Sequence, residues 1–142
     1  MNKQYLSISK VYEFVVSRLP SNNTRKDRLI MQKIVFLAKS LGVECGDFRF
    51  SWGKKGPYSP ALTRVIYDNS QEVDVAALQE YELSKAAQDK LKPLHEIIAN
   101  NPTERPAAEW IELLGCVAFL QEELAFKRTV REALIKSKPK YT

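Results

Sequence analysis

The chain has 142 residues, 44% of them hydrophobic and 27% charged, with two Cys and one His. At that size a single domain over residues 1–142 buries a core of its own and needs neither a disulfide nor a structural metal. The net charge of +5 is unevenly spread, with +8 in residues 1–64, −8 in 65–126 and +5 in 127–142. No apolar run approaches the roughly 18 residues of a membrane span. The first ten residues lack a signal-peptide pattern, so a cytoplasmic protein with no membrane partner is expected. Segregated charge suits either basic and acidic elements packed beside one another, or a basic face for an anionic partner and an acidic face for a cationic one. Cys45 and Cys116 form no CxxC pair and read as reduced thiols.

Ile8, Val11, Tyr12, Val15, Val16 and Leu19 recur at helical spacing, and Pro20 followed by Ser21, Asn22 and Asn23 stops that helix. Thr24 and Asp27 cap a second helix over Lys26 to Leu41, which is apolar around most of its circumference and is expected to be the most buried element. Gly42 suits its C-terminal end. The period then changes to two. Phe48, Phe50 and Trp52 alternate with Arg49 and Ser51, as in a half-buried strand that delivers its aromatics, Trp52 included, to the core. Gly53 to Pro57 supply turn chemistry, and Ser59 with Pro60 starts a third helix ending near Asp68.

Residues 69–79 read as a loop or partial helix, and Tyr81 to Ser84 as a short strand leading into a capped helix from Lys85 to about Asn100, which Pro93 is expected to kink. Asn100 to Thr103 is a break. A long helix follows from Pro106 to about Phe126, and a final one from Thr129 to Lys136. The expected fold class is α+β, predominantly α, with about six helices and one short two-stranded antiparallel sheet. Its strands are expected at Phe48–Trp52 and Glu80–Leu83.

Chemistry is sparse. His95 is the lone histidine and sits in a helix, no elbow motif presents a nucleophile, and the two Cys lack metal-like spacing, so no catalytic residue, metal or cofactor is assigned and the chain is not expected to be an enzyme. The informative segment is Phe48 to Pro60. Gly53 and Gly56 permit unusual backbone angles while Pro57 and Pro60 fix theirs, so the turn loses little entropy on binding. Lys54, Lys55 and Tyr58 stand at a helix N-terminus suited to a phosphate or carboxylate. The same residues also suit a purely structural corner between strand and helix.

Leu29 to Ala38 (LIMQKIVFLA), followed by Phe50-x-Trp52 and Gly56-Pro57-Tyr58-Ser59-Pro60, resembles the signature of the Panacea or SocA-type antitoxin domain, in which an LQKLLYFA-like helix precedes an aromatic strand and a W-x-x-GP-x-x-P loop. Trp110 to Gly115 and the ending Lys138-Pro139-Lys140-Tyr141 are similar to its YwgA-like relatives. The extra Lys pair between Trp52 and Gly56 departs from the pattern. The resemblance implies an α-rich, noncatalytic protein-binding module, an antitoxin or proteolysis adaptor whose partner is a toxin, a protease or a defence component. The candidate partner-binding residues are Trp52, Lys54, Lys55, Gly56, Pro57 and Tyr58. The competing class is a nucleic-acid-binding regulator, because Tyr81 to Leu91 is similar to the wing strand and following helix of winged-helix proteins. Against it, helix 60–68 carries Arg64 alone as a basic reader.

Overall fold

Nine consecutive buried residues, Ile30 to Ala38, make the second helix the axis of the molecule. A helix buried on every side must be surrounded by other elements, and it is. The computed structural model describes residues 3–18, 20, 24–54, 56–69 and 75–137. Among them the order is α1 (Lys3–Val16), α2 (Arg25–Ser40), β1 (Ser51–Gly53), β2 (Gly56–Tyr58), α3 (Pro60–Asp68), α4 (Val75–Glu80), α5 (Lys85–Ala99) and α6 (Ala107–Ser137). Helix α2 packs against α1, α3, α5, α6 and β2. The fold is α+β and mostly helical, with one two-stranded antiparallel sheet. No described helix is long and apolar enough to cross a membrane.

Caps act where the sequence places them. Thr24 Oγ1 accepts the Asp27 N–H at 3.1 Å, Ser59 Oγ that of Leu62 at 3.3 Å and Ser84 Oγ that of Ala87 at 3.1 Å. Helix α1 buries Tyr5, Ile8, Val11, Tyr12 and Val15 against α2 and α5. It ends at Val16, and Ser17 takes the left-handed conformation with φ 67°. Leu19 and Ser21 to Asn23, read above as the helix end and stop, lie outside the described residues.

Two expectations are corrected. The sheet partner of the 48–52 segment is not Glu80–Leu83: β1 pairs with β2 in a hairpin whose register sets Ser51 against Tyr58, Trp52 against Pro57 and Gly53 against Gly56. The reason is loop closure. The chain reverses within a few residues between Gly53 and Gly56, whereas pairing with residues 80–83 requires closing a loop of about 30 residues for the same few bonds. Residues 81–84 form a connector, and Leu83 O accepts the Gln88 side-chain amide at 2.9 Å. The wing that the winged-helix reading needs is therefore absent at that place.

The second correction concerns the last two predicted helices, which are one continuous helix of 31 residues. Lys127, Arg128 and Thr129 include no glycine or proline to break it. Instead of capping a new helix, the Thr129 hydroxyl donates to Ala125 O one turn back at 2.9 Å. Helix α5 runs from Lys85 to Ala99 with Pro93 inside it, as expected, and Pro93 lies on the exposed side, where water can satisfy the carbonyl freed by its missing N–H.

Candidate functional site

Two polar side chains interrupt the buried run of α2, Gln32 and Lys33, and both are spent on the backbone of the segment after β1. Gln32 Nε2 donates to Ser59 O at 3.0 Å and to Thr63 Oγ1 at 2.9 Å, while its Oε1 accepts the Ser59 N–H at 3.0 Å. Lys33 Nζ donates to Pro57 O at 2.9 Å. Thr63 Oγ1 in turn donates to the Tyr58 hydroxyl at 2.7 Å. Buried polar groups must be bonded, so these contacts fix the Pro57 to Ser59 backbone onto the central helix.

The fit is close. Gly56 has φ 97°, and a Cβ there would lie 2.8 Å from Cys116 Sγ and 3.5 Å from Lys33 Cε. Only glycine lets β2 pass between α2 and α6 at this point. Burial pushes the Lys33 ammonium below its ordinary pKa, with partial compensation from the Glu112 carboxylate. It pushes both thiols up, Cys45 to about 11, and Cys116 is raised further by Glu112.

The hairpin divides the sequence-predicted binding residues between two faces, because side chains alternate along a strand. Trp52 and its cross-strand partner Pro57 face α6. The Trp52 ring stands 5.5 Å from Phe119, and Pro57 packs at Gly115. Trp52 remains 52% exposed, so the expectation that it enters the core is corrected. The core aromatic of this segment is Phe48, at 3% exposure, held by Lys39 Nζ donating to Phe48 O at 2.7 Å. Three-residue strands at the surface carry their aromatics to a rim rather than an interior. Phe50, Phe36, Phe119 and Trp52 form a chain of rings 5.2 to 5.8 Å apart, with Phe36 and Phe119 buried beneath the exposed Trp52.

Tyr58 lies on the other face, and Lys54, in the turn beyond β1, borders the same side. There, α2, the hairpin and α3 enclose a cleft of about 330 Å³ whose bases are Arg25, Arg28, Lys33 and Lys54. Among the described residues lining it, none is a carboxylate. Tyr58 and Tyr67 provide aromatic walls, with the Arg28 guanidinium 4.9 Å from the centre of the Tyr67 ring. Beyond Lys33 a second hollow of about 380 Å³ continues between α2 and α6, lined by Arg25, Lys26, Glu109 and Glu112. Gly56 is buried and lines the cleft, Pro57 is buried on the opposite face of the hairpin, and Lys55 lies outside the described residues.

Sequence reading missed Arg25, Arg28 and Tyr67 because they come from two helices whose juxtaposition depends on tertiary packing. Gln32 and Lys33 did leave a signal, two polar residues in a helix too apolar to have an exposed side. Elsewhere the single histidine is structural in its contacts: His95 Nδ1 lies 3.1 Å from Val15 O, tying α5 to α1. Among the described residues no three His, Cys, Asp or Glu side chains converge as a metal site would need. Comparison with known protein families, curated proteins and solved structures finds no match.

Proposed function

We propose that the chain is a noncatalytic protein-binding module, an antitoxin or proteolysis adaptor of the kind its α2 and Gly56-Pro57-Tyr58-Ser59-Pro60 residues resemble, acting in the cytoplasm. Its partner, a toxin, protease or defence component, presents an acidic segment to the cleft between α2, the hairpin and α3. The observation that carries this reading is the lining itself: four bases, two tyrosines and no carboxylate among the described residues, on a backbone clamped by Gln32 and Lys33. Basic residues at the start of α2 oppose the favourable sign of the helix dipole. A bound anion relieves that repulsion. Arginine pairs with a carboxylate through two parallel N–H bonds, and a rigid floor keeps the ordering cost of binding low.

Nucleic acid is the competing ligand, and salt separates the two. Fluorescence anisotropy with a labelled Glu/Asp-rich peptide and with a labelled DNA duplex, each over a salt series, tests the assignment. The acidic peptide is expected to bind and to lose affinity in Arg25→Glu with Arg28→Glu. A duplex that binds more tightly than the peptide, with a steep log–log salt slope of several units, would reverse the reading.

A further inference from the structure

We infer that the outer face of α6 is a self-association seam on which a second copy of this chain docks antiparallel. Helix α6 has apolar residues on two opposite sides. Its inner side, Ile111, Gly115 and Phe119, is buried against the body. Its outer side carries Leu113, Val117, Leu120 and Leu124, each between 41 and 64% exposed. From Leu120 to Glu132 every residue is exposed, and Glu122 still accepts the Ser40 hydroxyl at 2.8 Å, so the helix runs on past that contact by about 15 Å at 1.5 Å per residue.

The outer residues follow one another at steps of four, three and four, the a/d repeat of a coiled coil. That spacing reads the same in both directions. Two copies run antiparallel therefore set Leu113 against Leu124 and Val117 against Leu120 twice over, about a two-fold axis between Val117 and Leu120, which is the condition for a closed, isologous contact.

Charge selects both the occupant and the direction. Residues 107–126 hold Glu109, Glu112, Glu122 and Glu123 and no Lys or Arg. Lys127, Arg128 and Arg131 follow immediately and are exposed. In the antiparallel register position 109 of one copy falls opposite position 128 of the other, so Glu109 meets the basic stretch of the second copy at both ends of the seam. A parallel pair would stack acid on acid and base on base, which is repulsive. The helix thus supplies the complement to its own surface.

Sedimentation equilibrium of the full chain, from micromolar to submillimolar concentration, tests this. The wild type is expected to be a monomer–dimer mixture, and Leu120→Glu with Leu124→Glu a monomer whose far-ultraviolet circular dichroism and melting are unchanged. Two further variants test direction: Glu109→Lys in one, Lys127→Glu with Arg131→Glu in the other. Each alone is expected to be monomeric, since each opposes like charges, and the equimolar mixture is expected to dimerise. A wild type that stays monomeric throughout, a dimer indifferent to the leucine substitutions, or charge variants that fail to pair when mixed would each overturn the inference.

Discussion

Lys33 is a buried cation whose ammonium donates to Pro57 O at 2.9 Å. Its pKa in the folded state lies below the ordinary 10.5, chiefly because burial penalises the ammonium. Between the folded value and 10.5 the unfolded chain holds more protons, so this residue's contribution to stability rises with pH across that window. Urea midpoints for the wild type and Lys33→Met are expected to diverge in the wild type's favour as the pH is raised toward 10.5, and a difference independent of pH would contradict the assignment. Gln32→Leu leaves the buried Ser59 N–H without its partner, while Ser59 O keeps the Thr63 N–H at 3.2 Å, and the expected loss is about 1–3 kcal/mol, for one buried group left unpaired. Phe48→Ala is expected to cost about 3–5 kcal/mol, as deletion of a core aromatic does. Trp52→Ala is expected to cost about 1 kcal/mol, since half of that ring is already in water. Chemical denaturation of the two variants distinguishes a core residue from a rim residue directly.

Among the elements, those whose ends are chemical rather than tertiary were readable in the residues. Thr24 and Ser59 placed the starts of α2 and α3 within one residue, because a capping side chain needs only the local N–H groups. The hairpin was not readable in the same way. Alternation along Phe48 to Trp52 has the right period, but only Ser51 to Gly53 pair, and the partner strand contains Pro57, a residue that composition assigns to a turn. Prolonged helical pattern across Lys127 to Thr129 was divided at a threonine that bonds backward into its own helix. Ser17 at φ 67° offers an element-scale test, because it ends α1 in a conformation that a Cβ disfavours. Ser17→Gly is expected to raise stability by about 0.5–1 kcal/mol, measured as an increased melting temperature. Gly56→Ala is expected to do the opposite and to loosen β2, since the added methyl meets Cys116 Sγ at 2.8 Å.

At the scale of the molecule, the charge segregation visible in the sequence acquires a geometry. The basic opening segment delivers Arg25, Arg28, Lys33 and Lys54 to one cleft. The acidic middle segment contributes Glu109 and Glu112 to the adjoining hollow, where they stand with Arg25, Lys26 and Lys33. Which bases meet was hidden from the sequence, as Arg25 and Lys54 are joined only through the packing of the hairpin on α2. Lys54→Glu is expected to weaken partner binding while shifting stability by no more than about 0.5 kcal/mol, because its side chain is exposed. The proposed partner site is this cleft rather than the aromatic rim at Trp52. Quantitative affinity capture from the native host with wild type, Arg25→Glu plus Arg28→Glu, and Trp52→Ala measures it most directly. A protein is expected to be recovered by the wild type and by Trp52→Ala and lost with the double arginine variant, whose melting temperature stays close to the wild type's. Retention of that protein by the arginine variant together with its loss in Trp52→Ala would contradict the cleft assignment.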